Sequence, residues 1–382
     1  MNTLGITSGY HLALYIGGQP APRDVIDSLT SVQVTTTAGQ ASGFQLAFSS
    51  SKKSRLMRER MPSGYLDPLS RVQIVVTVSG RPNVILDGLI ARLDEAASSE
   101  PGATTVNVTG EDVTLAMRLV DLSGLPYPCL TRELRVIAAL AKYAFLGVVP
   151  LVIPSVFIEN PIPLDNWKSH AGTDLDYIQS QANEVGYVFY VTPGPLGVNK
   201  AYWGPEIRWG EVQPALNVNM DAHTNCESLS FSYDGTSAKL FIAMAQIPST
   251  TFSIPVPIPN VGILRPVLAQ RQPFPFKFEI LNRNEPDEAG AQHGPIQVLG
   301  LGLARAAAAA DAVTANGSLN VLRYGRILEP RKLVDVRGAG RTYDGRYYVK
   351  SVTHNIKRGE YKQSFSLVRE GTVPTTTRVR VS

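Results

Sequence analysis

Ser49 and Ser50 each stand three residues before a lysine, Lys52 and Lys53. That S-x-x-K spacing could set a hydroxyl beside an amine able to take its proton. The match lies in "SSKKSRLMRERMPSGYLDP", a loop so rich in serine and lysine that it carries little information. The histidines, at 11, 170, 223, 293 and 354, never fall at a metal-ligand spacing. His354 sits on the mostly apolar face of an expected strand, which fits a core or rim histidine. There is no H-E-x-x-H, no Walker loop, no G-x-S-x-G and no C-x-x-C. No catalytic, cofactor-binding or metal site is therefore expected.

Three other clusters have non-catalytic readings. "KKSRLMRER" gathers Lys52, Lys53, Arg55, Arg58 and Arg60. It is either a solvated loop or a contact for a protein partner or passing nucleic acid. "NKAYWGPEIRWG" sets Tyr202, Trp203 and Trp209 beside Gly and Pro, as core under a loop or as a ligand platform. Asp87-Gly88 and Asp344-Gly345 fit turns, where glycine supplies backbone freedom.

Two hairpins must position whatever surface the chain offers. In "YDGRYYVKSVTHNIKRGEYKQSFSLVREG" a loop at Lys357-Arg358-Gly359-Glu360 pairs Ile356 with Tyr361, Val352 with Phe365 and Lys350 with Leu367. Side chains alternate across a strand, so Val352, Ile356, Tyr361, Phe365 and Leu367 share a buried face. Ser351, Thr353, Asn355, Lys362, Ser364 and Ser366 share the wet one. A second hairpin, Ser28 to Phe48 around "AGQA", buries Phe44, Leu46 and Phe48 and turns Gln33, Thr35 and Gln45 outward. Wet faces of small polar groups suit a channel lining or a seam between sheets, or an ordinary solvated face.

The chain has 382 residues, enough for two or three domains. Charged residues make up 18%, below the usual figure of about 25%, which fits surface buried against partners. The net charge of +4 is too small to argue nucleic-acid binding. Cys129 and Cys226 make no disulfide framework and fit reduced, buried residues of a cytosol-made protein. No signal peptide or membrane span is expected.

Strands fill the first 110 residues. Short helices follow at 113–119, 130–145 and 174–184, the last capped by Thr173 and ended by Gly186. Residues 247–276, rich in proline, are expected as an extended arm without regular sheet. "GPIQVLGLGLARAAAAADAVTANG" fits a helix started by Pro295 and stopped by Asn316-Gly317. Residues 72–112 and 331–371 both run strand, glycine, short loop, Asp-Gly, long strand, turn, strand. Matching Gly80 to Gly338, Asp87-Gly88 to Asp344-Gly345 and Gly110 to Gly371 gives two copies of one β-unit.

"LDGLIARLDEAASSEPGATTVNVTGEDVTLAM", "TDLDYIQSQANEVGYVFYVTPGP", "NKAYWGPEIR" and the C-terminal hairpin together resemble the late control protein D family. These are baseplate hub proteins of contractile phage tails, related to the hub part of type VI secretion spikes. The resemblance spans about residues 10–371 and rests on four segments in order, with no single diagnostic motif.

It implies a mainly β fold with an α+β insertion: two tail-tube-like β-barrels, the second interrupted by a helical/mixed insertion. The expected division is 1–110, first barrel; 111–212, helical/mixed linking domain; and 213–238, start of the second barrel. Residues 239–318 form the insertion, 319–372 the rest of the second barrel and 373–382 a tail.

The implied function is a trimeric, pseudo-sixfold ring joining the hexameric tail tube to the trimeric central spike. Its implied partners are itself as a homotrimer, the tail tube protein, the central spike protein and other baseplate proteins on the wedge and sheath side. Translocated DNA or effector would pass the channel without sequence-specific nucleic-acid binding or membrane insertion. Gln33, Thr35, Gln45, Ser351, Thr353, Ser364 and Ser366 would line the channel or a barrel-to-barrel seam, and Lys52 to Arg60 would contact a partner. The chain stops at Ser382, so the spike needle is expected as a separate protein and no lytic activity here. The implied place is the baseplate of a particle made in the bacterial cytoplasm. Competing readings are a β-sandwich that binds carbohydrate or peptide, and a tail-associated hydrolase.

Overall fold

The computed structural model describes residues 9–50, 54–96, 104–127, 129–155, 169–246, 253–258, 266–275, 277–281, 302, 306 and 310–375. The first β-half holds β1 (Tyr10–Ile16), β2 (Gln19–Pro20), α1 (Arg23–Ser28), β3 (Leu29–Thr37), β4 (Gly43–Ser50), β5 (Arg71–Val78), β6 (Arg81–Ala96) and β7 (Thr104–Asp112). A middle unit follows with α2 (Arg132–Ala141), β8 (Val148–Val152), α3 (Asp174–Asn183), β9 (Val188–Pro193) and β10 (Asn199–Gly204). The second half begins with β11 (Val212–Asn217) and β12 (Cys226–Tyr233). An excursion carries β13 (Lys239–Gln246), β14 (Ser253–Ile258), β15 (Ala269–Arg271) and β16 (Lys277–Leu281). The half resumes with β17 (Val313–Asn320), α4 (Val321–Tyr324), β18 (Leu333–Arg337), β19 (Gly345–Lys357), β20 (Glu360–Arg369) and β21 (Thr372–Pro374).

Both halves lay out six strands in one order. The first runs β3-β4-β7-β6-β5-β1 and the second β12-β17-β20-β19-β18-β11. The match extends to irregularities. β6 bulges at Ala91 against β7, and β19 bulges at Lys350 against β20. β3 bulges at Thr30 against β4, and β12 at Glu227 against β17. Leu69 and Arg331, both with positive φ (69° and 63°), donate their N–H to Ile90 O and Val349 O. A bulge adds one residue and re-aims its neighbours, so bulges at matching places fix the equivalence.

That equivalence corrects three expectations. Gly110 lies opposite Ile90 and Leu367 opposite Val349, so Gly110 corresponds to Leu367 and not to Gly371. Asp87-Gly88 is no turn but the buried middle of β6, where a Cβ on Gly88 would meet Glu111 O at 2.1 Å. Leu367 pairs with Val349 rather than Lys350, because Lys350 is bulged and its carbonyl accepts from Ala38 N–H at 2.7 Å.

Two more expectations fail downstream. The proline-rich arm does form sheet: β14, with Pro255 and Pro257, pairs antiparallel with β13 and lies at that sheet's edge. An edge strand tolerates a residue without an N–H. Asn316-Gly317 does not stop a helix but lies inside β17, paired with β12 and β20. Gly302 and Ala306 are helical, and the rest of that expected helix before 310 lies outside the described residues.

Thr173 caps α3 as expected: its hydroxyl accepts from Asp176 N–H, and Asp176 reaches back to Thr173 N–H. The two halves share one apolar core that includes Val34, Leu46, Val108, Val352, Phe365 and Leu367. The middle unit has its own core around Trp203, Val136 and Ile178. No helix among the described residues is long and apolar enough to cross a membrane.

Candidate functional site

The predicted outward residues of the two hairpins meet on one surface. β19 of the second half pairs antiparallel with β3 of the first, placing Thr353 opposite Thr35, Asn355 opposite Gln33 and Ser351 opposite Thr37. The Thr35 and Thr353 hydroxyls lie 3.1 Å apart. Gln45 stands beside Gln33 on β4, and Ser364 and Ser366 flank Thr353 and Ser351 on β20. All seven predicted residues therefore share one face of one sheet.

Register extends that face beyond the sequence reading. Ser318 and Asn316 on β17 lie opposite Ser364 and Ser366, and Ser228 and Ser230 on β12 continue the rows. The Ser228 and Ser318 hydroxyls are 2.8 Å apart. On the far side Thr109 lies opposite Gln45, and Arg92 opposite Thr109. The same polar alternation in "TTVNVTG" and "CESLSFS" was the signal available in the sequence. Several charges on this face are paired: Lys362 with Glu227 and Glu360, and Arg92 with Asp94. Those partners hold the Lys362 ammonium above its usual range, hydrogen bonds to Glu360 first. Short hydroxyls and amides make many weak hydrogen bonds and no strong electrostatic trap.

The joint between the halves is fastened below this face. His354 is buried, its Nδ1 2.7 Å from the Tyr361 hydroxyl. Burial pushes its pKa down to about 4, so the ring is neutral near pH 7. Burial likewise pushes the Tyr361 phenol up. The Arg331 guanidinium lies 3.9 Å from the Tyr190 ring centre and donates to Thr192 Oγ1 and Thr37 O, each at 3.2 Å. One residue thus ties β9, β3 and the β18–β19 hairpin together. A second tie links the first half to the middle unit. Buried Asp87 accepts from Arg71 Nε at 2.8 Å and Nη2 at 2.7 Å, Gln73 at 2.9 Å and Asn199 at 3.0 Å.

The joint has open counterparts. β12 corresponds to β3, yet its outer edge carries no strand among the described residues. β6 corresponds to β19, and beyond Leu89, which lies opposite the first residue of β5, the segment Arg92–Ala96 pairs only with β7 among the described residues. Burial follows. Val34 and Val352 are fully buried at the made joint, whereas their counterparts Phe231 and Leu93 are only partly covered.

The other predicted residues do not gather. Ser49 is exposed at the end of β4, and Lys52 and Lys53 lie outside the described residues. Arg55 faces Glu59, while Arg60 pairs with Asp24 and lies over the Tyr65 ring, so part of the basic run holds its own loop down. Arg58 is exposed. Tyr202 and Trp203 are buried and Trp209 is 60% exposed, so "AYWGPEIRW" forms no aromatic platform. His170 packs with Tyr127 and Asp174 in the middle unit, and no His/Cys/Asp/Glu group among the described residues could hold a metal. A cleft of about 900 Å³ beside the joint is lined by Thr36, Tyr190, Thr192, Arg331, Lys332 and His354, among others.

Solved structures share this fold over nearly the whole chain. A tail protein from Neisseria meningitidis superposes with TM-score 0.63 at 13% identity, covering 95% of this chain and 97% of that one. A 43 kDa tail protein of a Shewanella oneidensis prophage gives 0.60 at 12%, over 94% and 98%. This chain has the fold of phage tail proteins. A component of the E. coli type VI secretion system, described as similar to the T4 tail proteins gp27 and gp5, gives 0.51 at 13%, over 97% and 79%. No protein-family model and no curated protein matches the sequence. The expectation of a mainly β fold of the tail-protein kind thus holds, at identities that speak to fold alone.

Proposed function

We propose that this chain is a structural baseplate hub of a contractile tail or injection system. Three copies form a ring of six β-halves between the hexameric tail tube and the trimeric central spike. One observation carries the reading: two halves of the same strand order are joined edge to edge by β3 and β19, and the equivalent edges, β12 and the end of β6, stand open. Unlike edges that match each other give a closed ring or an open filament when joined between copies. The tail-protein fold favours the ring.

In this reading the face of Gln33, Thr35, Gln45, Ser351, Thr353, Ser364 and Ser366 lines the channel. Its uncharged hydroxyls suit a cargo that must slide, whether DNA or an effector protein. Lys52, Lys53, Arg55, Arg58 and Arg60 are the contacts for other baseplate proteins. Residues 1–110 and 213–238 with 319–372 are the two ring-forming domains, 111–212 links them, 239–318 is the insertion and 373–382 the C-terminal tail. No step of this role needs a catalytic group or cofactor. The particle is assembled from protein made in the bacterial cytoplasm.

Light scattering of the purified protein, alone and mixed with its tube and spike neighbours, tests the reading. A mass of three chains is expected. A monomer in every mixture overturns it.

A further inference from the structure

The made joint predicts the register and chemistry of the unmade one. We infer that β12 of one copy pairs antiparallel with Arg92–Ala96 of the next, with Arg92 opposite Asp234, Asp94 opposite Ser232 and Ala96 opposite Ser230. The inference rests on the ring reading and adds the residues that close it.

The register follows from the bulges. Within the chain, Ser351 faces Thr37, Thr353 faces Thr35 and Asn355 faces Gln33. Counted from the bulge at Lys350 and its counterpart at Ala91, Ser351, Thr353 and Asn355 correspond to Arg92, Asp94 and Ala96. Counted from the bulges at Thr30 and Glu227, Thr37, Thr35 and Gln33 correspond to Asp234, Ser232 and Ser230. Two independent landmarks, one on each strand, thus give one pairing. The pairs that result are chemically matched: a guanidinium meets a carboxylate, and a carboxylate meets a hydroxyl.

The two seams then differ in kind. On the channel side the seam within the chain has hydroxyls and amides, with Lys357 opposite Ser31 at its end, whereas the seam between chains has Arg92, Asp94 and Asp234. On the core side Arg331 fastens the inner seam through Thr37 O. Its counterpart is Leu69, 48% exposed and held at φ 69°. Leu93, Phe231 and Tyr233, the last 42% exposed, lie along the same open lips. Pairing between copies covers this apolar row; at the inner seam Val352 and Val34 stand where Leu93 and Phe231 do, and a cation takes the place of Leu69 alone. The channel wall alternates three seams of mostly hydroxyls and amides with three that carry Arg92, Asp94 and Asp234.

Engineered disulfides test it in a Cys129→Ser background. Directly opposed residues on paired strands lie within disulfide reach. Asp94→Cys with Ser232→Cys is expected to give, under oxidant, a ladder of two and three linked chains on a non-reducing gel. Thr35→Cys with Thr353→Cys is expected to close inside one chain without raising its mass. A trimer in which the first pair stays reduced while the second closes overturns the register and leaves the ring reading standing. A protein that never associates overturns both. Arg92→Glu should weaken association about fivefold at low salt, and adding Asp234→Arg should restore it. Loss without restoration contradicts the pairing of these two residues.

Discussion

Asp87 in the first half and Arg346 in the second occupy matching places on β6 and β19, each facing a polar partner on the adjacent strand, Gln73 and Asp335. Their settings are opposite. Asp87 is buried under the middle unit with Arg71, Gln73 and Asn199 around it, while Arg346 and Asp335 form a half-exposed pair. The outer edges differ in the opposite sense: β19 is covered by β3, and the end of β6 is open. Each half is complete where the other is exposed. One backbone plan has been specialised by what packs on each copy, and the open sites point to a second chain. The entering strands differ too, since β1 joins β5 antiparallel whereas β11 joins β18 parallel. The plan therefore conserves strand neighbours more strictly than strand direction.

The largest expected contrast lies at the Asp87 and Arg346 sites. Asp87→Ala removes the shared carboxylate acceptor of the Arg71 guanidinium and of the buried Gln73 and Asn199 amides and should cost about 3–5 kcal/mol in urea unfolding. Arg346→Ala breaks a half-exposed pair and should cost under about 1 kcal/mol. Equal losses would erase the distinction between a tied half and a free one.

Next is pH. His354 is neutral and buried, with a folded pKa of about 4 against an ordinary value of 6.5. Above pH 6.5 neither state binds the proton. As pH falls from 6.5 to 4 the unfolded state binds it first, so stability drops by about 3 kcal/mol across that window. His354→Gln should flatten that slope. Its counterpart in the first half, exposed Glu95, should leave the drop in place when changed to Gln. A wild-type drop unchanged in His354→Gln would show that this histidine is not the group concerned.

Charging the shared polar face should act on assembly and spare the fold. Thr353→Glu with Ser364→Glu should keep a native circular dichroism spectrum while disturbing the ring by like-charge repulsion across adjacent strands. An unfolded variant would mean that the face is core. The smallest effect is expected in the basic loop: Arg58→Ala should fall within about 0.5 kcal/mol of wild type. Arg60→Ala, losing Asp24 and the Tyr65 ring, should cost about 1 kcal/mol. A larger loss for Arg58 would mean that the loop is held through that residue.

Much of this was legible in the sequence wherever period two was clean. Val352, Ile356, Tyr361 and Phe365 alternate with Ser351, Thr353 and Ser364, and that alternation alone gives the hairpin and its polar face. Lys350 broke the count because a bulge leaves no mark in composition when an exposed lysine fills it. Asp87-Gly88 misled because the same dipeptide that makes turns also lets a buried strand approach Glu111 O. The proline-rich segment misled because proline is excluded only from inner strands, and β14 is an edge. Nothing local could reveal that β3 and β19 pair, since residues over 300 positions apart share no pattern beyond two polar faces. The open edges became visible only after that pairing did.

The measurement that bears most directly on the central claim is electron microscopy of the protein assembled with its tube and spike neighbours. The account predicts a threefold ring of six similar lobes around a central hole, with one continuous sheet crossing every seam and the Thr35–Thr353 face turned inward. A particle in which β12 and the end of β6 remain uncovered, or in which the polar face turns away from the hole, would contradict it.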